Sequence, residues 1–82
     1  MMMFSEYSDR ICRLAADRIR AEWKRRQDRP ESYGLSDWSR VYRAEDAIAE
    51  ALPSSWRITW PQLDSECPVV LVTTENGETL TY

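Results

Sequence analysis

The hydrophobic pattern of this chain changes period once. Up to Leu52 apolar side chains recur every three or four positions, and from Trp56 onward they recur every second. The first spacing keeps one face of a helix apolar and the second keeps one face of a strand apolar. Pro30 interrupts the helical region and Pro53 closes it, because proline lacks an N–H donor and disfavours a helical residue before it. The element order is therefore helix, helix, strand, strand, strand. This predicts an α+β fold, with two antiparallel helices packed on a three-stranded antiparallel sheet. At 82 residues, with no repeat and no linker-like stretch, positions 1–82 are expected to form one small domain.

The first helix is expected over about 4–28, with Phe4, Tyr7, Ile11, Leu14 and Ala15 as its inward stripe and Ile19 and Trp23 on the flank. Opposite charges four apart (Glu6 and Arg10, Asp9 and Arg13, Arg13 and Asp17, Arg18 and Glu22, Glu22 and Arg26) are expected to pair on its solvent side. The second helix is expected over 36–52, capped by Ser36 and buried through Trp38, Val41, Ala44, Ile48, Ala51 and Leu52. An antiparallel turn near residues 32–33 brings positions 18 and 45 close together. An Arg18–Glu45 ion pair at the helix interface is expected, since each lies inside its helix's apolar arc.

Strands are expected over 55–60, 69–74 and 78–82. Trp56, Ile58 and Trp60 face the core on the first, and Pro61 ends it. Asn76-Gly77 reads as a two-residue type I′ turn. That register sets Leu71 opposite Tyr82 and Thr73 opposite Leu80 on the face packed against the helices. Val70, Val72, Thr74, Thr79 and Thr81 then lie on the outer face. The third strand is a candidate sheet edge, open to an added strand.

The chain contains no histidine, which excludes Ser-His-Asp and Cys-His catalysis, His-based metal sites and imidazole switching together. Two glycines in all leave no phosphate-binding loop, dinucleotide fingerprint or nucleophile elbow. Asp64-Ser65-Glu66 falls short of a calcium loop. No catalytic residue, metal ligand or cofactor is expected. Cys12 and Cys67 fit no paired motif and read as free thiols, consistent with a cytoplasmic setting, the host cytoplasm if the chain is viral. No stretch has the length and apolarity of a membrane span, and Met1-Met2-Met3-Phe4 turns polar too soon for a signal peptide.

The net charge of −3 is unevenly spread. Residues 1–29 hold eight basic and five acidic side chains, residues 30–52 two and five, and residues 53–82 one and four. The basic first third makes Arg10, Arg13, Arg20, Lys24, Arg25 and Arg26, with Trp23 beside them, a candidate nucleic-acid surface. The acids interleaved with them and the overall negative charge oppose direct nucleic-acid binding. The acidic remainder supplies the favoured surface: Asp46, Glu50, Glu75 and Glu78, with Trp23 and Trp38 as candidate anchors. Asp37, Asp64 and Glu66 share that acidic surface.

The expectation from sequence is a non-enzymatic protein-binding domain, an inhibitor or regulatory accessory covering a basic, nucleic-acid-handling site of a partner protein. Size and charge alone make it similar in character to anti-CRISPR and other phage inhibitors. A nucleic-acid-binding module and a homodimer pairing through tryptophan and threonine surfaces are the alternatives.

Overall fold

The computed structural model describes residues 6–60 and 68–82. Helix α1 spans Glu6–Asp28, a short 3-10 turn follows at Pro30–Ser32, and α2 spans Leu35–Ala51. Strands β1 (Arg57–Thr59), β2 (Leu71–Thr73) and β3 (Thr79–Thr81) form an antiparallel sheet in the order β1-β2-β3. The architecture is the α+β arrangement read from the change of period. Phe4, Pro61, Asp64, Ser65, Glu66 and Cys67 lie outside the described residues.

The core joins Cys12, Ala16 and Ile19 of α1 to Val41, Ala44 and Ile48 of α2 and to Val70, Val72 and Tyr82. The buried face of α1 is Cys12, Ala15, Ala16, Ile19 and Glu22. This arc is turned roughly a quarter of a helical turn from the predicted one. Tyr7 and Leu14, expected inside, are 73% and 60% exposed. The buried arc carries the small side chains Ala15 and Ala16 in one core cluster with Ala44 of α2, and the bulkier Tyr7 and Leu14 lie outside it.

That rotation also removes the expected Arg18–Glu45 pair, which does not form. Arg18 is exposed, and Glu45 is half-buried with its carboxyl pushed upward by burial and by neighbouring Asp46. The ion pair between the helices is Glu22 with Arg40 instead, at 3.1 Å. Glu22, expected on the solvent side with Arg18 and Arg26, is only 2% exposed.

Helix α2 begins one residue earlier than predicted. Gly34, not Ser36, is its N-cap, and the Gly34 N–H donates to Asp37 Oδ2 at 2.8 Å. A carboxylate three residues into the helix thus satisfies the cap backbone and meets the positive end of the dipole.

The hairpin differs from expectation by one residue. Gly77 has φ +87°, and no non-glycine described residue has positive φ. Asn76 therefore does not adopt the type I′ conformation. Instead Gly77 N–H donates to Thr74 O (3.0 Å) and Thr74 N–H to Glu78 O (2.8 Å), enclosing a three-residue loop that ends in a left-handed glycine. The added loop residue pairs Val72 with Leu80 and Leu71 with Thr81. Every side chain of β2 changes face relative to the prediction. Val70, Val72, Leu80 and Tyr82 face the helices, joined by Trp56, Ile58 and Trp60, while Leu71, Thr73, Thr79 and Thr81 lie on the outer face. Thr74 consequently shares the inner face with Val72, and Glu78 is opposite Thr74 rather than Glu75.

Candidate interaction surfaces

The basic stretch of α1 is largely engaged within the molecule. Arg13 Nε donates to Asp9 Oδ2 at 2.8 Å, and its guanidinium stands 5.7 Å from the Tyr82 ring centre. Arg20 donates to Asp17 (2.6 Å) and to the main-chain oxygens of Tyr82 (3.0 Å) and Pro68 (3.4 Å). Tyr82 returns a hydrogen bond from its hydroxyl to Asp9 Oδ1 at 2.9 Å. Arg20 therefore braces α1 against the end of β3, while Arg13, its side chain 67% exposed, pairs with Asp9 and leans on the Tyr82 ring. Hydrogen bonds from Arg13 and Tyr82 hold the Asp9 carboxyl below its ordinary range.

Toward the other end of α1, Arg25 lies 3.8 Å from Asp37, and Arg26 stacks its guanidinium 5.5 Å from the Trp38 ring centre. Trp38 in turn meets Tyr33 edge-on at 5.4 Å and stacks on Tyr42 at 6.2 Å. Of the candidate nucleic-acid residues, Arg10 and Lys24 remain exposed without a role in this bracing.

The helix-to-helix junction holds a polar cluster that the sequence did not single out. Arg40 bridges Asp37 and buried Glu22, and the Tyr33 hydroxyl donates to Glu22 Oε1 at 3.2 Å. The Arg40 Nε–H points off the Glu22 oxygen and makes no hydrogen bond, so this contact is ionic. Burial beside Glu22 pushes the Tyr33 phenol to about 12. The Gly34 N–H and Arg40 lower the Asp37 carboxyl. The cluster is a structural lock, because each charged group faces an opposite partner. The one sequence signal for it was Glu22 falling seven residues after Ala15 on the same helical face.

The candidate acidic residues present a different picture. Asp46 and Glu50 are exposed one turn apart on α2, and Glu75, the first residue of the hairpin loop, and Glu78, just after it, are exposed as well. Glu75 accepts a 3.4 Å hydrogen bond from the Ser55 hydroxyl. None of the four faces a cation among the described residues. Trp23 and Trp38 are half-buried and packed on the core, as are Trp56 and Trp60, so the indoles serve mainly as structure.

Among the described residues, no three Cys, Asp or Glu side chains converge as a metal site would require, and no helix is long and apolar enough to cross a membrane. Cys12 is fully buried, and burial, then the charge of Asp9, pushes its thiol to about 11. It is a packed apolar side chain rather than a nucleophile. No family model matches the chain, and neither the curated proteins nor the solved structures give a significant match.

Proposed function

We propose that the protein is a non-enzymatic binding domain that docks an acidic surface onto a basic, nucleic-acid-handling site of a partner protein, in a cytoplasmic setting. One observation carries the reading: five of the arginines are engaged within the molecule, and the four candidate carboxylates meet no cation among the described residues. Arg13, Arg20, Arg25, Arg26 and Arg40 contact carboxylates, main-chain oxygens or an aromatic ring of the same molecule. Asp46, Glu50, Glu75 and Glu78 stand exposed without such cations among the described residues. With a net charge of −3, these four exposed carboxylates favour encounter with a basic groove and disfavour nucleic acid itself, although Arg10, Arg18, Lys24, Arg29, Arg43 and Arg57 are exposed as well.

The test compares two binding modes. Fluorescence anisotropy with generic duplex DNA and single-stranded RNA is expected to show no association at low salt. A partner captured from lysate is expected to be displaced by heparin, a polyanion competing for the same basic site, and to be lost on the combined substitutions Asp46→Lys, Glu75→Lys and Glu78→Lys. Salt-sensitive nucleic-acid binding that disappears with Arg10→Glu and Lys24→Glu would overturn the proposal in favour of the nucleic-acid module.

A further inference from the structure

The quarter-turn rotation of α1 leaves apolar side chains outside the core, and they are not scattered. Ile11, Leu14 and Arg18 of α1 face Arg43, Ala44 and Ala47 of α2 across a groove of about 440 Å³. It continues, sharing Ile11 and Ala47, into a second hollow of about 320 Å³ bordered by Tyr7, Glu50 and Ala51. Around α1, these residues lie on the side away from Asp9, Arg13 and Arg20, which hold Tyr82. The groove is therefore on the outer face of the helix pair.

We infer that a second copy of this chain covers the groove, the helix pairs stacking antiparallel about a two-fold axis that crosses both helices at right angles. The charge pattern along the groove carries the inference. Arg18, Arg40 and Arg43 border one end, Arg40 already paired with Glu22 and Asp37, and Glu50 borders the other. A two-fold that reverses the helix direction lays the positive end of one copy on the negative end of its mate.

The sequence registers agree with a single axis. Crossing α1 between Cys12 and Arg13, the axis sets Ile11 of one copy against Leu14 of the other, and Tyr7 against Arg18, an aromatic ring against a guanidinium. Crossing α2 between Asp46 and Ala47, it sets Arg43 of one copy against Glu50 of the other. Ile11 and Ala47 line the same stretch of groove, which puts the two crossing points level to within about one helical turn. One rotation thus satisfies both helices, as an isologous interface requires, and the product is a four-helix layer with a sheet on each side.

The face runs from Tyr7 to Arg18, ~17 Å, and is about 20 Å wide. This is smaller than a standard interface, so the pairing is expected to be reversible, with a dissociation constant of about 10–100 μM. The inference does not rest on the acidic docking surface proposed above. Glu50 becomes an intersubunit partner and Asp46 sits beside the axis, while Glu75 and Glu78 stay outside the pairing.

Sedimentation velocity of the full chain over a concentration series tests the inference. The wild type is expected to move from monomer toward dimer as concentration rises. Leu14→Glu, at an exposed position, is expected to stay monomeric with an unchanged helical circular-dichroism spectrum. Arg43→Glu and Glu50→Arg are each expected to weaken dimerisation at least tenfold, because each places like charges together. Combined in one chain they are expected to restore it to within about threefold of wild type. A wild type monomeric throughout the series, or a double variant no better than either single one, would overturn the inference. Rescue by the charge swap is an outcome that non-specific association through the apolar groove does not produce.

Discussion

Replacing Val72 with alanine tests the sheet register directly, because that register decides whether this side chain is inside or outside. Val72 is fully buried, paired across the sheet with Ile58 on one side and Leu80 on the other. Val72→Ala removes two methyl groups from a packed core. At about 0.8 kcal/mol per buried carbon, with a further cost for the space left behind, the loss is about 2–3 kcal/mol. Leu71, next in sequence, is half-buried on the outer face. Leu71→Ala removes more carbon but returns little surface to water, so its cost is expected below about 1 kcal/mol. Both substitutions exchange a good strand former for a poor one, and that contribution largely cancels in the comparison.

Urea unfolding followed by circular dichroism, with the slope held constant between variants, reads the two losses. In a chain of this size 1 kcal/mol moves the thermal midpoint by roughly 4–8 °C, so the variants are expected to differ by several degrees. A double-mutant cycle sharpens the result. Val72 and Leu80 face each other and are expected to couple by at least about 0.5 kcal/mol, whereas Leu71 and Leu80 are on opposite faces and are expected not to couple. A larger loss at Leu71 than at Val72, or coupling between Leu71 and Leu80, would refute the three-residue loop and restore the two-residue turn.

Four further outcomes follow from particular residues. Gly77→Ala forces a Cβ into φ +87° and is expected to cost about 1–2 kcal/mol in the same assay, while Gly34→Ala, with open space around its Cα and ordinary φ, is expected to change stability by a few tenths at most. Asp9 and Asp37 have lowered carboxyls, so their contribution is complete above the ordinary aspartate value and is lost as pH falls through their folded values. Asp9→Asn and Asp37→Asn are each expected to flatten the acid limb of a stability–pH curve. Glu45 titrates in the opposite sense: its raised carboxyl favours folding below the ordinary glutamate value, and that contribution is lost as pH rises through the folded value. Glu45→Gln is therefore expected to raise the midpoint at pH 7 and leave it unchanged near about pH 3.5. Cys12, with its thiol at about 11, is expected to react with Ellman's reagent at neutral pH only after denaturation, measured in a Cys67→Ser background so that a single thiol reports.

The period of each segment was legible in the sequence; the phase was legible for α2, β1 and β3 but not for α1 and β2. The switch from helical to strand spacing gave the element order and the fold class. Within α1, however, Tyr7, Ile11 and Leu14 form a plausible stripe, and so do Cys12, Ala16 and Ile19. Choosing between them requires knowing which face α2 packs against, and the buried one carries Ala15 and Ala16 in a cluster with Ala44 of α2. Strand β2 poses the same choice, because Val70, Leu71 and Val72 are apolar on both faces. Its orientation is fixed by one residue of loop length, through the Thr74 carbonyl accepting from the Gly77 N–H and the Thr74 N–H donating to the Glu78 carbonyl. Both reversals come from the same physical circumstance: where two adjacent faces are apolar, the partner element selects the buried one.

For charged residues the limit is different, since a sequence counts charges without showing which ones meet. Arg20 and Lys24 look alike on a basic helix, four residues apart. Yet Arg20 holds main-chain oxygens at Tyr82 and Pro68, 62 and 48 positions away, and Lys24 remains exposed. No local rule separates them, because the distinguishing atoms lie on another element. Arg40 and Glu22 repeat the point within the helix pair, where residues at the edge of each apolar arc find each other while Arg18 and Glu45, equally placed by periodicity, do not. Such long-range pairs decide which charges face outward. Within α1, Arg13, Arg20, Arg25 and Arg26 are turned to contacts inside the molecule, while Arg10, Arg18 and Lys24 stay exposed, as do the carboxylates Asp46 and Glu50 of α2 and Glu75 and Glu78 of the hairpin.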